Sequence, residues 1–209
     1  MKAQVMLGVA AGTHFISQTV FALTDLIMYA SEKYDLRGIK SFRGVMVDES
    51  RNRIVEEFLK TDAEWLFMFD TDVVFRADVI DKLLDMHRIM GTKVGSGWYN
   101  MQMSDGTVGS TIFTYSPDGT MSHRHVITED SPPYFFADLG PSGAMLVHRE
   151  VFEKMKAAGL THYFKYTHRD GSNVTFSEDV YFCNLVKEMG YKYSVCSDAF
   201  MLHHKIVAI

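Results

Sequence analysis

The chain has little cysteine: Cys183 and Cys196 are the only two in 209 residues. That is too few, and too widely spaced, for a disulfide framework or a zinc cluster, so a reducing compartment is expected. The expectation is the cytoplasm, or a host cell's cytoplasm for a viral chain. No apolar run approaches the ~20 residues needed to cross a bilayer, so no membrane-spanning helix is expected. The start, Met1 to Val9, has one basic residue and a short apolar stretch, and reads as a first strand rather than a signal peptide. Positive charge is not in excess: the net charge of −5 gives no general nucleic-acid footprint. Lys154, Lys156, Lys165, His168 and Arg169 do cluster, but such a run reads as a solvated face. Internal repeats, low-complexity segments and linkers are also missing, which leaves one domain, 1–209, as the expectation. With 47% hydrophobic and 22% charged residues, the composition is that of a folded globular protein and excludes a disordered one.

What is present alternates between strand and helix signals, the pattern of βαβ units around a mostly parallel sheet. Val5 to Val9 reads as the first strand, followed by the loop 10–14. Ser17 to Tyr34 follows as a helix with Val20, Leu23, Ile27 and Ala30 on its apolar face. Gly44 to Val47 reads as a second strand. A helix capped by Asp48 or Ser50 comes next, burying Ile54, Val55, Phe58 and Leu59. Ala77 to Met90 is amphipathic and stops at Gly91. Residues 107–115 and 121–128, around Ser116-Pro117-Asp118-Gly119, predict an antiparallel hairpin that makes the sheet mixed. The chain then returns to α/β, with a strand at Ala144 to His148 and helices at Glu150 to Ala158 and Ser177 to Met189. A final strand follows at Tyr191 to Cys196.

The strongest chemical signal is Trp65-Leu66-Phe67-Met68-Phe69-Asp70-Thr71-Asp72. Five large apolar residues predict a strand buried on both faces, and two acids stand at its carboxyl end, where open α/β sheets bind ligands. In extended chain, side chains at i and i+2 point the same way, so both carboxylates are expected to face one ligand. Paired carboxylates repel unless a cation or proton lies between them, and a hard divalent metal suits oxygen ligands.

Several further landmarks occur in order: Arg51-Asn52 opening a helix, Gly140-Pro141-Ser142-Gly143-Ala144, Ser177-Glu178-Asp179-Val180, and His203-His204 after Asp198. With the diacid, this ordered set resembles the nucleotide-sugar glycosyltransferases of the GT-A fold, along nearly the whole chain. The resemblance implies a Rossmann-like α/β fold and a Mn²⁺ or Mg²⁺ ion held by Asp72, Asp70 and one of His203 and His204, with His203 favoured. It implies a nucleotide-diphosphate sugar as donor, with uridine the expected nucleoside, bound by Val9, Ala10, Thr13, Arg51, Asp70 and Thr71. Asp179 is implied as the base that activates a hydroxyl acceptor, with Glu178 orienting substrate. Trp98, Gly143 and Ala144 are implied at the sugar or acceptor. The acceptor itself stays open among a glycan, a protein and a modified base of viral DNA, with contacts expected from 107–128 and 159–175. Donor sugar, stereochemical course and oligomeric state also stay open.

Blander readings exist for single residues. Arg51 could be a solvated helix residue, Gly140 and Gly143 ordinary turn chemistry, and Trp98 with Tyr99, which could stack on a sugar ring, part of the core. Acids in a first helical turn are favoured by the helix dipole in any case. Two other functions compete. A haloacid-dehalogenase-like phosphatase also follows a strand with Asp-x-Asp, but needs the motif near its first strand and a later acidic pair, and neither is found here. The other is a nucleotide- or glycan-binding module without turnover. An EF-hand loop starting at Asp70 is excluded by Phe75 at the sixth position, where a sharp turn requires glycine.

Overall fold

A computed structural model of the chain describes residues 2–10, 15–102, 106–117, 122–168 and 175–204. In chain order the elements begin with β1 (Gln4–Ala10), α1 (Ser17–Lys33), β2 (Asp35–Phe42), α2 (Val47–Leu59) and β3 (Trp65–Asp70). After these come β4 (Val73–Val74), α3 (Val79–Met90), β5 (Val94–Trp98), β6 (Asn100–Gln102), β7 (Val108–Ser110), β8 (Phe113–Tyr115) and β9 (Ser122–Arg124). The rest are β10 (Tyr134–Ala137), β11 (Ala144–His148), α4 (Arg149–Ala157), β12 (Thr167–His168), β13 (Thr175–Phe176), α5 (Glu178–Glu188), β14 (Tyr193–Phe200) and β15 (Leu202–His203).

Among the described residues, seven strands form one sheet in the order β10-β14-β5-β11-β3-β1-β2. β2, β1, β3, β5 and β14 run one way, while β11 and β10 run against them. β3 is buried on both faces, as its unbroken apolar run requires. Leu66 and Met68 pack on one side with Phe58 and Phe152, and Phe67 and Phe69 on the other with Leu26 and Leu83. The α3 helix ends at Gly91, whose φ of +65° is the left-handed conformation that glycine tolerates. No helix among the described residues is long and apolar enough to cross a membrane.

Several expectations need correction. The second strand is Asp35–Phe42, not 44–47. As an edge strand it is only partly buried, so its sequence lacks the apolar run that would reveal it. Gly44, at φ +75°, is instead in a turn before α2, which starts at Val47 with Met46 as N-cap and no side-chain cap, so neither Asp48 nor Ser50 caps it. On α1 the buried face is Thr19, Ala22, Leu26 and Ala30, whereas Val20 is 46% exposed. The expected Ala30 is buried and Leu23 and Ile27 pack on the core at its margin, while Thr19 can be buried in the first turn because its Oγ1 donates to the Val73 carbonyl at 3.1 Å.

The hairpin expected around 116–119 is present but shorter, β8 pairing antiparallel with β9, while residues 108–110 pair instead with β6. The main sheet is mixed because β11 and β10 are antiparallel, not because a hairpin is inserted. β10, hidden behind Pro132-Pro133, pairs with β14, and β14 runs on to Phe200, beyond Cys196. Of the loop expected at 10–14, residues 11–14 lie outside the described residues, as do 118 and 119 of the turn expected at 116–119.

Candidate active site

Topology brings the candidate residues to one edge of the sheet. β1, β3, β5 and β14 end there, and the helices α2 and α5, each leading into one of these parallel strands, begin there. The antiparallel strand β11 starts where its neighbour β3 stops: Ala144 lies opposite Phe69, and the Asp70 N–H donates to the Gly143 carbonyl at 3.1 Å. Asp70 from β3, Arg51 from α2, Glu178 and Asp179 from α5, and the 140–143 segment therefore converge. Val9 and Ala10 end β1, with Ala10 opposite Asp70.

Arg51 is the hub. It is 1% exposed. Its Nη2 donates to both oxygens of Asp70, at 2.8 and 3.0 Å. Its Nη1 donates to Glu178 Oε1 and, at 3.1 Å, to Asp179 Oδ1. Burial acts to discharge the guanidinium, but the three carboxylates outweigh it and raise its affinity for the proton. One cation facing three acids leaves a residual negative charge, which shows in the acids. Desolvation raises the Asp70 pKa, with Asp72 and Glu178 adding to it and Arg51 opposing. Asp179 is likewise raised, chiefly by burial, against Arg51 and Ser142, whose backbone N–H donates to Asp179 Oδ1 at 3.3 Å. Glu178 is 6% exposed, and burial and the nearby Glu178 carboxylate hold the Tyr166 hydroxyl in its protonated form.

The diacid does not point both ways alike. β3 ends at Asp70, and Thr71-Asp72 form a turn, so the i, i+2 rule for extended chain stops applying. Asp70 faces Arg51, while Asp72 faces His203, whose Nε2 stands 3.4 Å from Asp72 Oδ2. β15 pairs with β4 to hold His203 opposite Val73, and the His203 ring stacks on Tyr99 at 4.8 Å between centroids. His204 is exposed, and only its backbone N–H meets the site, donating to the Asp72 carbonyl at 2.9 Å. Among the described residues, no group of three or more His, Cys, Asp or Glu is arranged to hold a metal ion.

Gly143 is forced by contact rather than by backbone conformation. A Cβ there would lie 2.7 Å from Asp70 Oδ2 and 2.9 Å from the Tyr99 hydroxyl oxygen. Beside Asp179 and His203 opens a cavity of about 390 Å³, walled by Tyr99, Phe113, Tyr115 and Phe176.

Other candidate residues are placed as follows. Val9 and Ala10 are buried, so their backbone is what a ligand could meet. Thr71 is buried, and its carbonyl accepts from the Ile16 N–H at 3.2 Å, tying the start of α1 to the diacid turn. Ala144 is in the core. Thr13 lies outside the described residues. The Trp98 indole N–H donates to the Ser197 carbonyl at 2.8 Å and its ring packs on Phe200. It does not line the cavity; its neighbour Tyr99 does. Arg51 is neither a solvated helix residue nor turned to open space. Tyr166 has no role readable in the sequence, and Ser142 none of its own; Tyr99 is expected with Trp98 to stack on a sugar ring, and of the two it is Tyr99 that lines the cavity. Only strand alternation at 98–99, which sends adjacent side chains to opposite faces, could have separated Tyr99 from Trp98.

No family model matches the chain, and no curated protein matches its sequence. Solved structures do match. One, described as A197 from STIV, has a TM-score of 0.57 at 14% identity, over 99% of this chain and 87% of that one. Another, GalNAc-T7 with UDP, GalNAc and Mn2+, has a TM-score of 0.53 at 10% identity, over 97% of this chain and 43% of that one. At such identities the likeness is one of fold: a mixed α/β, GT-A-like architecture.

Proposed function

We propose that the chain is a glycosyltransferase, moving a sugar from a nucleotide-diphosphate sugar, with UDP as the nucleotide, to a hydroxyl acceptor. The observation that carries this reading is the Arg51 clamp, which holds Asp70, Glu178 and Asp179 together at the carboxyl edge of the sheet. Such a clamp fixes carboxylates where a nucleophile must be deprotonated beside a bound donor. The neighbour solved with UDP and Mn2+ supports the choice of donor class.

The residues present fit a divalent ion in part. Asp72 and His203 offer one hard oxygen and one imidazole nitrogen 3.4 Å apart. That is close to the ~3 Å edge of an octahedral shell with bonds of about 2.1 Å. Asp70, engaged twice by Arg51, is better placed to accept from a ribose hydroxyl or a bound water. Mn²⁺ or Mg²⁺ on Asp72 and His203 would supply positive charge toward the donor's diphosphate. The chain's own residues do the rest. Asp179 takes the acceptor proton. Arg51 keeps that carboxylate oriented and ionised against the burial that raises its pKa. Glu178, gripped by Arg51, positions the clamp, and Gly143 lets its backbone lie against Asp70 and the Tyr99 hydroxyl.

A binding module without turnover is the second reading, favoured by one observation: three of the four acids are already tied to Arg51. UDP release from a panel of UDP-sugars, with Mn²⁺ present, separates the two. The transferase reading expects turnover that Asp179→Asn lowers about 100-fold or more in kcat while donor KM stays similar. Binding of UDP without any turnover supports the module instead.

A further inference from the structure

We propose that the acceptor hydroxyl is carried on an uncharged aromatic ring, which the cavity beside Asp179 receives. The inference rests on the transferase reading of Asp179 and names the acceptor class for that site. Four aromatic rings wall the cavity, with Met101, Leu139 and Val180 adding aliphatic surface. Its volume of about 390 Å³ is near the small end of ligand pockets, room for one or two rings.

Charge excludes anionic acceptors. No lysine or arginine is among the described residues that line the cavity, whereas Asp179 is. Arg51 is already outnumbered by its three acids, and Arg124, which lies over the Phe113 ring, is not among the lining residues. Of the described lining residues only His203 offers a nitrogen that could meet a phosphate, and it already stands 3.4 Å from Asp72, while the Asp179 carboxylate repels one.

Hydrogen-bond capacity argues against a polyhydroxylated ring. Each buried hydroxyl needs a partner, or costs free energy. Of the five lining residues that carry a hydroxyl, Thr111, Tyr115 and Ser177 already use theirs within the protein. Thr111 Oγ1 donates to the Tyr99 carbonyl at 3.1 Å, the Tyr115 hydroxyl to Asn184 Oδ1 at 3.2 Å, and Ser177 Oγ accepts from the Val180 N–H at 3.4 Å. A flat apolar ring with a single reactive hydroxyl makes the fewest polar demands and the most contact with aromatic walls. In the transfer, the acceptor oxygen bonds to the donor's anomeric carbon. The bond from that carbon to the diphosphate oxygen breaks, its electron pair leaving with the diphosphate, and the hydroxyl proton passes to Asp179.

The test measures equilibrium binding of three probes to the full chain: 2-naphthylmethanol, 2-naphthylmethyl phosphate and methyl β-glucopyranoside. The neutral aryl alcohol is expected to bind about 10-fold or more tightly than either of the others. Phe176→Ala and Phe113→Ala should each weaken it several-fold; Phe176, 36% exposed, is the variant that keeps the test usable should Phe113→Ala not fold. Equal or tighter binding of the glucoside or the phosphate overturns the inference, as does aryl affinity unchanged in folded phenylalanine variants. UDP release from UDP-sugars onto water needs no aryl acceptor, so it reports separately. Turnover with no aryl binding sinks the acceptor class alone, and aryl binding with no UDP-sugar turnover sinks the transferase reading.

Discussion

Arg51 brings one positive charge into a buried site with three carboxylates, so its removal is felt twice. Breaking a buried ion pair from one side costs about 3–5 kcal/mol, because the partners stay buried and uncompensated. Arg51→Met is therefore expected to lower the urea midpoint by a stability loss of that size, measured by denaturation at neutral pH. Arg51 also opposes the burial that raises Asp179. A base works when ionised, so activity should rise as pH climbs through the Asp179 pKa, and that acid limb should move to higher pH in any Arg51 variant that folds. Arg51→Lys keeps the charge but not the fork that reaches Asp70 with one nitrogen and Glu178 and Asp179 with the other. Its acid limb should therefore lie between wild type and Arg51→Met in a pH–kcat profile, and identical limbs in all three would remove Arg51 from this role. At Gly143 a single methyl meets Asp70 Oδ2 at 2.7 Å. Gly143→Ala should cut UDP-sugar turnover about 10-fold or more while circular dichroism stays native, since the shift falls on the site rather than the core.

The elements that the sequence made legible are those buried on both faces or strongly amphipathic. β3 and β11 announce themselves by unbroken apolar runs, and α3 by its period and its closing glycine. The edge strands β2 and β10 do not, because half-exposed strands mix polar residues without penalty. The α1 face is offset toward Thr19, Ala22 and Leu26, and Thr19 is buried there through its hydrogen bond to the Val73 carbonyl, which no hydrophobic pattern records. That offset is measurable. Val20→Lys should change stability by no more than about 0.5 kcal/mol, and Leu26→Ala, fully buried, should cost about 2–5 kcal/mol in the same denaturation assay. At the site, the ordered landmarks could be read because motif residues lie close in sequence. The Arg51 clamp could not, because it joins residues 127 and 128 positions apart. The split of Asp70 from Asp72 was missed for a local reason: the strand stops between them.

For the whole molecule, pH acts on stability through buried histidine as well as through the acids. His87 is 4% exposed, stacked on Trp65 and hydrogen-bonded to Thr92 and the Leu146 carbonyl. Burial lowers its pKa from 6.5 to about 4. As pH falls, the unfolded chain takes up this proton first, so stability declines from about 6.5 down to about 4 and levels off below. The full loss is about 3 kcal/mol. Asp70 and Asp179, with raised pKa values, bind protons more readily when folded and act in the opposite sense. The difference between wild type and His87→Gln isolates the histidine: urea midpoints should converge as pH drops from 7 to 4.5. A constant gap would contradict a neutral buried His87.

A sugar transferase with this site binds its nucleotide diphosphate at the carboxyl edge of the sheet, through a metal on Asp72 and His203. Calorimetric titration of UDP into metal-free protein, with and without Mn²⁺, and repeated on Asp72→Ala, tests it most directly. Manganese-dependent binding that Asp72→Ala abolishes is the predicted result. UDP binding that ignores both manganese and the substitution, or no binding in any arm, would contradict it.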